Sequence, residues 1–252
     1  MKEIIAIINQ KDGVGKSTTA SALGAGLILN GYKVLLVDLD AQSNLSYNVK
    51  TVNSKLSSFE VLTQATTAQE AIIKTESCDI IPASPALAGA DTLITETGKE
   101  YRLAEALETI KENYDYIIID TPPALGTLTV NALTACDSVI IPAQADIYSL
   151  QGIGQLNNTI QTVKKYCNHS LKIKGILITR YNARAVLTRD MVELLEDTAE
   201  KLETIVFNTK IRECIALKEA QAIQQNIYSY APKSNAAADY KSFTDEVMGG
   251  KL

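Results

Sequence analysis

Closely spaced cysteines and an excess of positive charge are both missing from this sequence. Its four cysteines, Cys78, Cys136, Cys167 and Cys214, lie far apart and form no C-x-x-C pair. A structural zinc site or an iron–sulfur cluster wants tighter spacing in at least one segment. Scattered thiols in a reducing compartment are expected instead. With 24 Lys and Arg against 29 Asp and Glu, the formal net charge is −5. A basic surface over the whole molecule is thereby excluded, although a local basic patch is not. No apolar run approaches the roughly 20 residues needed to cross a bilayer. The chain opens on "KEIIAIIN", without a basic, apolar and cleavable leader, so a cytoplasmic protein is expected.

What is present is a large apolar fraction, 46% of 252 residues, enough core for one sizeable α/β domain. The runs "EIIAIIN", "KVLLVDLD", "CDIIPAS", "YDYIIIDTPP", "DSVIIPAQ" and "IKGILITRYN" read as strands buried on both faces. Helical patterns fall between them, over 17–30, 101–113, 150–166, 187–202 and 235–248. The first of these is rich in small residues (Ala20, Ala22, Gly24, Ala25, Gly26), so it can lie close to a sheet, and Gly31 stops it. The alternation predicts an α/β fold. Its mostly parallel, doubly wound sheet is flanked by helices on both faces, in a single domain over 1–252. Residues 43–78, rich in Ser, Thr and Asn, read as the least regular stretch.

The chemistry concentrates in three motifs. "NQKDGVGKSTTA", residues 9–20, departs from the pattern G-x-x-x-x-G-K-[ST]. Gly15, Lys16 and Ser17 complete that pattern, but Gln10 stands at the opening glycine, followed by Lys11 and Asp12. Between a strand and a helix start, the backbone N–H groups of such a loop form an anion nest. Lys11, Asp12, Gly13, Val14, Gly15, Lys16, Ser17 and Thr18 are therefore the candidate ATP-binding residues. Lys16 can reach the β- and γ-phosphates, and the Ser17 hydroxyl can ligate Mg²⁺. The second motif, "VDLDAQSN", ends a strand with Asp38 and Asp40. Two apart, they point to opposite sides if the strand continues, so only one need face the phosphates and orient an attacking water. The third, "YDYIIIDTPPALG", brings Asp120 to a strand end as a second acidic site for Mg²⁺. Its prolines and Gly126 then make a sharp turn suited to sensing the γ-phosphate.

Together with "YAPKSNAAADY", these motifs resemble the deviant Walker A ATPases of the ParA/MinD family, in particular its ParA (Soj-like) partition branch, over essentially the whole chain. The resemblance implies an α/β fold of P-loop NTPase type with ATP/ADP and Mg²⁺ as ligands, and Lys16 acting on the phosphates of its own subunit. It implies that Lys11 is a signature lysine reaching across an ATP-dependent homodimer. Asp40 would orient the attacking water, and Asp120 and Ser17 would hold the metal. Arg180 and Asn182 fall where the family contacts adenine, and residues 209–213 would close the other side. The resemblance further implies non-specific binding of double-stranded DNA, a ParB-like activator protein and a nucleoid-associated location. The chain is similar to the short members, which lack an N-terminal helix-turn-helix region.

The sequence also departs from the family. Asp12 stands where the first of two glycines is usual. A carboxylate there repels triphosphate by about 1 kcal/mol or more at 4 Å. Weakened ATP-driven dimerisation and hydrolysis are expected, with nucleotide binding retained. Ala41 replaces a proline, and Ala216 takes the place of an arginine used for DNA. Arg184 matches another DNA-binding arginine, and Arg189, Arg212 and Lys218 are candidates to compensate. Two other readings remain: a nucleotide-binding switch with little turnover, and a MinD-like membrane-cycling ATPase. The latter needs a basic amphipathic terminal helix. "DYKSFTDEVMGGKL" has mixed charge and a glycine pair, so it reads as a helix packed on the domain, with no membrane partner.

Overall fold

Strand β1 (Glu3–Ile7) is followed by β2 (Val34–Asp38), β3 (Ile73–Lys74), β4 (Asp79–Ile81), β5 (Tyr116–Asp120), β6 (Ser138–Ala143) and β7 (Lys172–Ile178). The computed structural model describes residues 3–51, 54–182 and 186–249, without the side chains of 186–188. Within them the strands form one seven-stranded sheet in the order β3-β4-β2-β5-β1-β6-β7. All pairs are parallel except β3 with β4. Because side chains alternate along a strand, each apolar run feeds two cores. Ile4, Ala6, Leu35, Val37, Ile117 and Ile119 pack on one face. Ile5, Ile7, Leu36 and Ile118 pack on the other. Full burial of each such side chain contributes about 2 kcal/mol.

The second face is covered by α1 (Lys16–Leu29), α5 (Ile215–Ala222) and α6 (Asn235–Val247). The first is covered by α2 (Thr127–Ala135), α3 (Ile147–Tyr166) and α4 (Val186–Lys201). The small residues of α1 have the expected consequence. A Cβ on Gly24 would lie 2.7 Å from Leu36 Cδ2, and one on Gly26 would strike the side chains of Thr244 and Tyr228. That close approach lets α6 bury Tyr240, Phe243 and Val247. The apolar face of α6 is thus used on the domain. Among the described residues, no helix is long and apolar enough to cross a membrane. The four cysteines are free, Cys136 buried and the others partly buried.

Three boundaries differ from the sequence pattern. The helix expected over 101–113 is only Arg102–Glu108, between 3₁₀ turns Lys99–Tyr101 and Lys111–Asn113. Ile110 leaves helical geometry at φ −124° while its side chain stays buried, and this turns the chain toward β5. Helix α3 starts a turn earlier than expected because Asp146 caps it, accepting from Ser149 N at 2.9 Å. Residues 43–78 hold more structure than their composition suggests. Ser57 with Glu60, and Thr67 with Glu70, form capping boxes that start the short helices Ser58–Leu62 and Ala68–Ala71.

Candidate active site

The sheet order makes the site. Strand β1 lies between the parallel strands β5 and β6, with β2 to β5 laid down on one side of it and β6 and β7 on the other, and ligands bind beyond the carboxyl ends of strands where the strand order reverses in this way. Register brings Ile7 and Asp38 opposite Asp120, so the loops after β1, β2 and β5 leave the sheet at one level.

The loop after β1 is held from three sides. Asn9 Nδ2 donates to Pro142 O at 2.7 Å, while its Oδ1 accepts from Lys11 N at 2.9 Å. Thr179 Oγ1 donates to Val14 O at 2.8 Å, and Gln144 Nε2 donates to Gly13 O at 3.1 Å. With its carbonyls tied outward and Val14 buried, the loop turns its N–H groups inward. Gly13 and Gly15 adopt φ of +71° and +90°, the left-handed region that glycine enters without strain. Helix α1 then starts with no side-chain cap and no acid in its first turn, leaving its N–H groups for an anion.

Lys16 is 6% exposed, and its Nζ donates to Lys11 O at 3.2 Å. Burial lowers its pKa, partly offset by Asp120, Asp12 and Asp40. Asp120 is fully buried, and neither carboxylate oxygen has a hydrogen bond of good geometry. Its pKa is raised by burial and then by Asp38, while Ser17 and Lys16 pull the other way. A carboxylate without a well-formed hydrogen bond, buried beside the Ser17 hydroxyl at the start of α1, is a hard-oxygen donor set that fits Mg²⁺. The two aspartates after β2 divide as their spacing requires. Asp40 lines the phosphate-side cavity with Lys16 and Ser17, and its Oδ1 accepts from Gln42 N at 3.0 Å. Asp38 points into the fold, accepting from Asp40 N at 3.0 Å, Ser46 N at 2.8 Å and Ser46 Oγ at 2.7 Å. Burial pushes Asp38 up to about 6 despite these bonds.

Lys11 extends along the edge of the site instead of into it. Its Nζ meets Asp146 Oδ2 at 2.5 Å and lies 6.0 Å from the Tyr148 ring centroid. Burial opposes ionisation of Asp146, but the bonds from Lys11 and Ser149 outweigh it and lower its pKa. The Asp12 side chain is 75% exposed, with Oδ1 4.0 Å from Lys16 Nζ. It therefore stands at the rim of the nest.

Two contiguous cavities share Gly15, Thr18, Arg180, Lys218 and Gln221. The larger, about 1310 Å³, carries Asp12, Lys16, Ser17 and Asp40. The smaller, about 510 Å³, lies between the loop after β7 and the segment leading to α5, with Ile211, Arg212, Cys214 and Leu217 in its walls. Its size and apolar content suit a heteroaromatic base. Thr18 faces both cavities, its hydroxyl accepting from Gln221 Nε2 at 2.7 Å. Arg180 stands between them at φ +49°, whereas Asn182 is exposed and lines neither.

The residues proposed for DNA separate. Arg212 joins Asp239 through Nε at 2.9 Å and Nη2 at 2.6 Å, which makes it a wall of the smaller cavity instead of a free surface cation. Lys218 is exposed but also lines both cavities. Arg189 is exposed on α4. Arg184 lies outside the described residues. Sequence reasoning missed Asp146, Thr179, Gln144 and the supporting role of Asp38. Asp146 left a local signal, as an N-cap residue before a helical pattern; Thr179 and Gln144 act through contacts with a loop far away in the chain, and Asp38 through bonds from Asp40 and Ser46 that no spacing pattern marks.

Comparison with known proteins agrees with this geometry. A family model described as "AAA domain" matches residues 2–173. The sporulation initiation inhibitor protein Soj of Bacillus subtilis is 42% identical, with 98% of each chain covered. The chromosome partitioning protein ParA of Myxococcus xanthus is 39% identical, over 97% of this chain and 87% of its own. The crystal structure of cobyrinic acid a,c-diamide synthase from Mycobacterium smegmatis, with bound ADP and magnesium, superposes with a TM-score of 0.85. It is 35% identical, over 98% of this chain and 94% of its own.

Proposed function

The chain belongs to the ParA/Soj family of ATPases, and from that premise we propose that it is a partition ATPase that binds and slowly hydrolyses MgATP. The observation that carries this reading is the convergence of Lys16, Ser17, Asp40 and the unpartnered Asp120 on one nest at the sheet reversal. ATP lies with its phosphates on the N–H groups of the loop and its base toward Arg180 and Ile211. Lys16, desolvated and directed into the nest, pairs with the β- and γ-oxygens. Ser17 and Asp120 would hold Mg²⁺, which would supply charge neutralisation for the phosphoryl group. Asp40 orients the attacking water, and its backbone is kept in place by Asp38.

The cycle proposed for the chain follows its family. Lys11 leaves Asp146 and reaches the phosphates of a second copy, where a cation stabilises charge developing on the transferred group. The ATP-bound homodimer then binds double-stranded DNA non-specifically, with Arg184, Arg189 and Lys218 as candidate contacts, and a ParB-like protein triggers hydrolysis and release. Asp12 opposes the dimer step. Its carboxylate stands at the rim that a second subunit must approach, competes for Lys11 and Lys16, and repels triphosphate. Nucleotide binding survives because the nest, Lys16 and Ser17 are intact.

Turnover of MgATP and binding to random-sequence duplex DNA, measured from low to moderate salt, test this reading. Measurable turnover and ATP-dependent DNA binding that falls steeply with salt are expected. Absence of DNA binding at low salt in MgATP, for both the parent chain and Asp12→Gly, would overturn the partition assignment.

A further inference from the structure

The wall of the smaller cavity hangs from the last helix. Helix α6 presents Asp239 and Glu246 two turns apart, hence on one face. Glu246 accepts from Asn208 N at 3.0 Å, Thr209 N at 2.8 Å and Thr209 Oγ1 at 2.5 Å. Asp239 accepts from Arg212 N at 3.0 Å and from the guanidinium at 2.9 and 2.6 Å. Between these anchors Ile211 joins the sheet, its N donating to Ile178 O at 2.8 Å and its O accepting from Tyr181 N at 2.9 Å. The next residue on α6, Tyr240, lines the same cavity and sits 3.2 Å from the Thr19 hydroxyl of α1. One helix thus touches both the phosphate-binding helix and the opposite wall of the cavity.

Two N–H donors meeting one carboxylate fix the plane of a guanidinium as well as its position. They also neutralise it, so the wall offers a flat face without net charge. Such a face suits a neutral heteroaromatic ring and does not favour a further phosphate. We propose that Asp239 is a positioning residue for the nucleotide base, acting through Arg212, and that Glu246 fixes the start of the same segment. This rests on the assignment of the site to MgATP and adds what sets its affinity for the base.

The experiment measures the affinity of the full chain for MgADP and, separately, for magnesium pyrophosphate, which has the phosphates and no base. Asp239→Asn is expected to weaken MgADP about tenfold while pyrophosphate stays within about twofold. Glu246→Gln, which keeps one acceptor oxygen, should shift MgADP less and in the same direction. Equal weakening of both ligands would mean that α6 only stabilises the fold, and unchanged MgADP affinity would mean that Arg212 is no wall for the base. Either result overturns the proposal. If Asp239→Asn does not melt cooperatively, Arg212→Lys replaces it, keeping a cation by Asp239 and removing the plane. Selective loss of MgADP supports the proposal, and no selective loss refutes it. Failure of the parent chain itself to bind MgADP would instead overturn the nucleotide assignment on which the proposal rests.

Discussion

Asparagine at position 146 is expected to strengthen ATP-driven self-association, because Lys11 can act across a dimer only after leaving Asp146. Their charged atoms are 2.5 Å apart, with side chains 28% and 31% exposed. Unit charges about 4 Å apart attract by about 4 kcal/mol at an effective dielectric constant of 20. Solvent screening and side-chain ordering reduce the net worth of such a pair to about 1 kcal/mol. That is a factor of about five per subunit. Two pairs break for each dimer formed, so the dimer Kd should fall about 25-fold in saturating MgATP. Asparagine caps a helix as well as aspartate does, so α3 keeps its start. Loss of the ion pair and of the charge at the helix N-terminus together costs about 1.5 kcal/mol of stability, a drop in Tm of only a few degrees. The assay is sedimentation across a concentration series, with Asp146→Asn placed in the parent chain and in Asp12→Gly, where the competing carboxylate is gone. A dimer Kd unchanged by Asp146→Asn in the Asp12→Gly background would mean that Lys11 is not released from Asp146 on association.

Two further predictions concern the buried carboxylates. Asp38 titrates near 6 in the fold, against 3.8 for an ordinary aspartate. The native state therefore holds this proton more tightly than the unfolded chain does, and the stability it contributes is lost as pH rises from about 4 through 6, by up to roughly 3 kcal/mol. Urea titrations at pH 4 to 6.5 should show a flatter pH slope for Asp38→Asn than for the parent, and an identical slope would remove Asp38 as its source. Asp120→Asn takes away a carboxyl group whose ionisation is opposed by burial and whose oxygens have no hydrogen bond of good geometry. It should raise the ligand-free Tm by about 3 °C, some 1 kcal/mol, while Mg²⁺ ceases to enhance nucleotide binding. A lowered ligand-free Tm, or an undiminished Mg²⁺ effect in titration calorimetry, would contradict that account.

Much of the architecture was legible in the sequence because the physics there is local. Short apolar runs bounded by turn residues and rich in Ile and Val favour strands in a parallel sheet, and each of the six quoted runs became a strand. The small residues of α1 read directly as close packing, which Leu36 and Thr244 confirm by their proximity to Gly24 and Gly26. The helix expected over 101–113 was too long because periodicity cannot see Ile110 leaving helical geometry while staying buried. The irregular reading of 43–78 overlooked two capping boxes, a signal that was present and short. At the site, the loop and the strand-end aspartates carried their own pattern. Sequence spacing left Asp38 and Asp40 equivalent, and only the bonds from Ser46 separate them. Pairing of Lys11 with Asp146 and of Arg212 with Asp239 joins segments far apart in the chain. Nothing local marks them, and in the second case a surface cation became part of a cavity wall.

Whether Asp12 holds an otherwise complete MgATP site short of the dimer is decided by the mass in solution with MgATP. The parent chain and Asp12→Gly are compared side by side, with turnover recorded on the same samples. The account predicts a monomer with slow turnover for the parent, and a dimer with faster turnover for Asp12→Gly. Equal dimerisation and equal turnover would contradict it, and would leave Asp12 as an exposed side chain that the cycle tolerates.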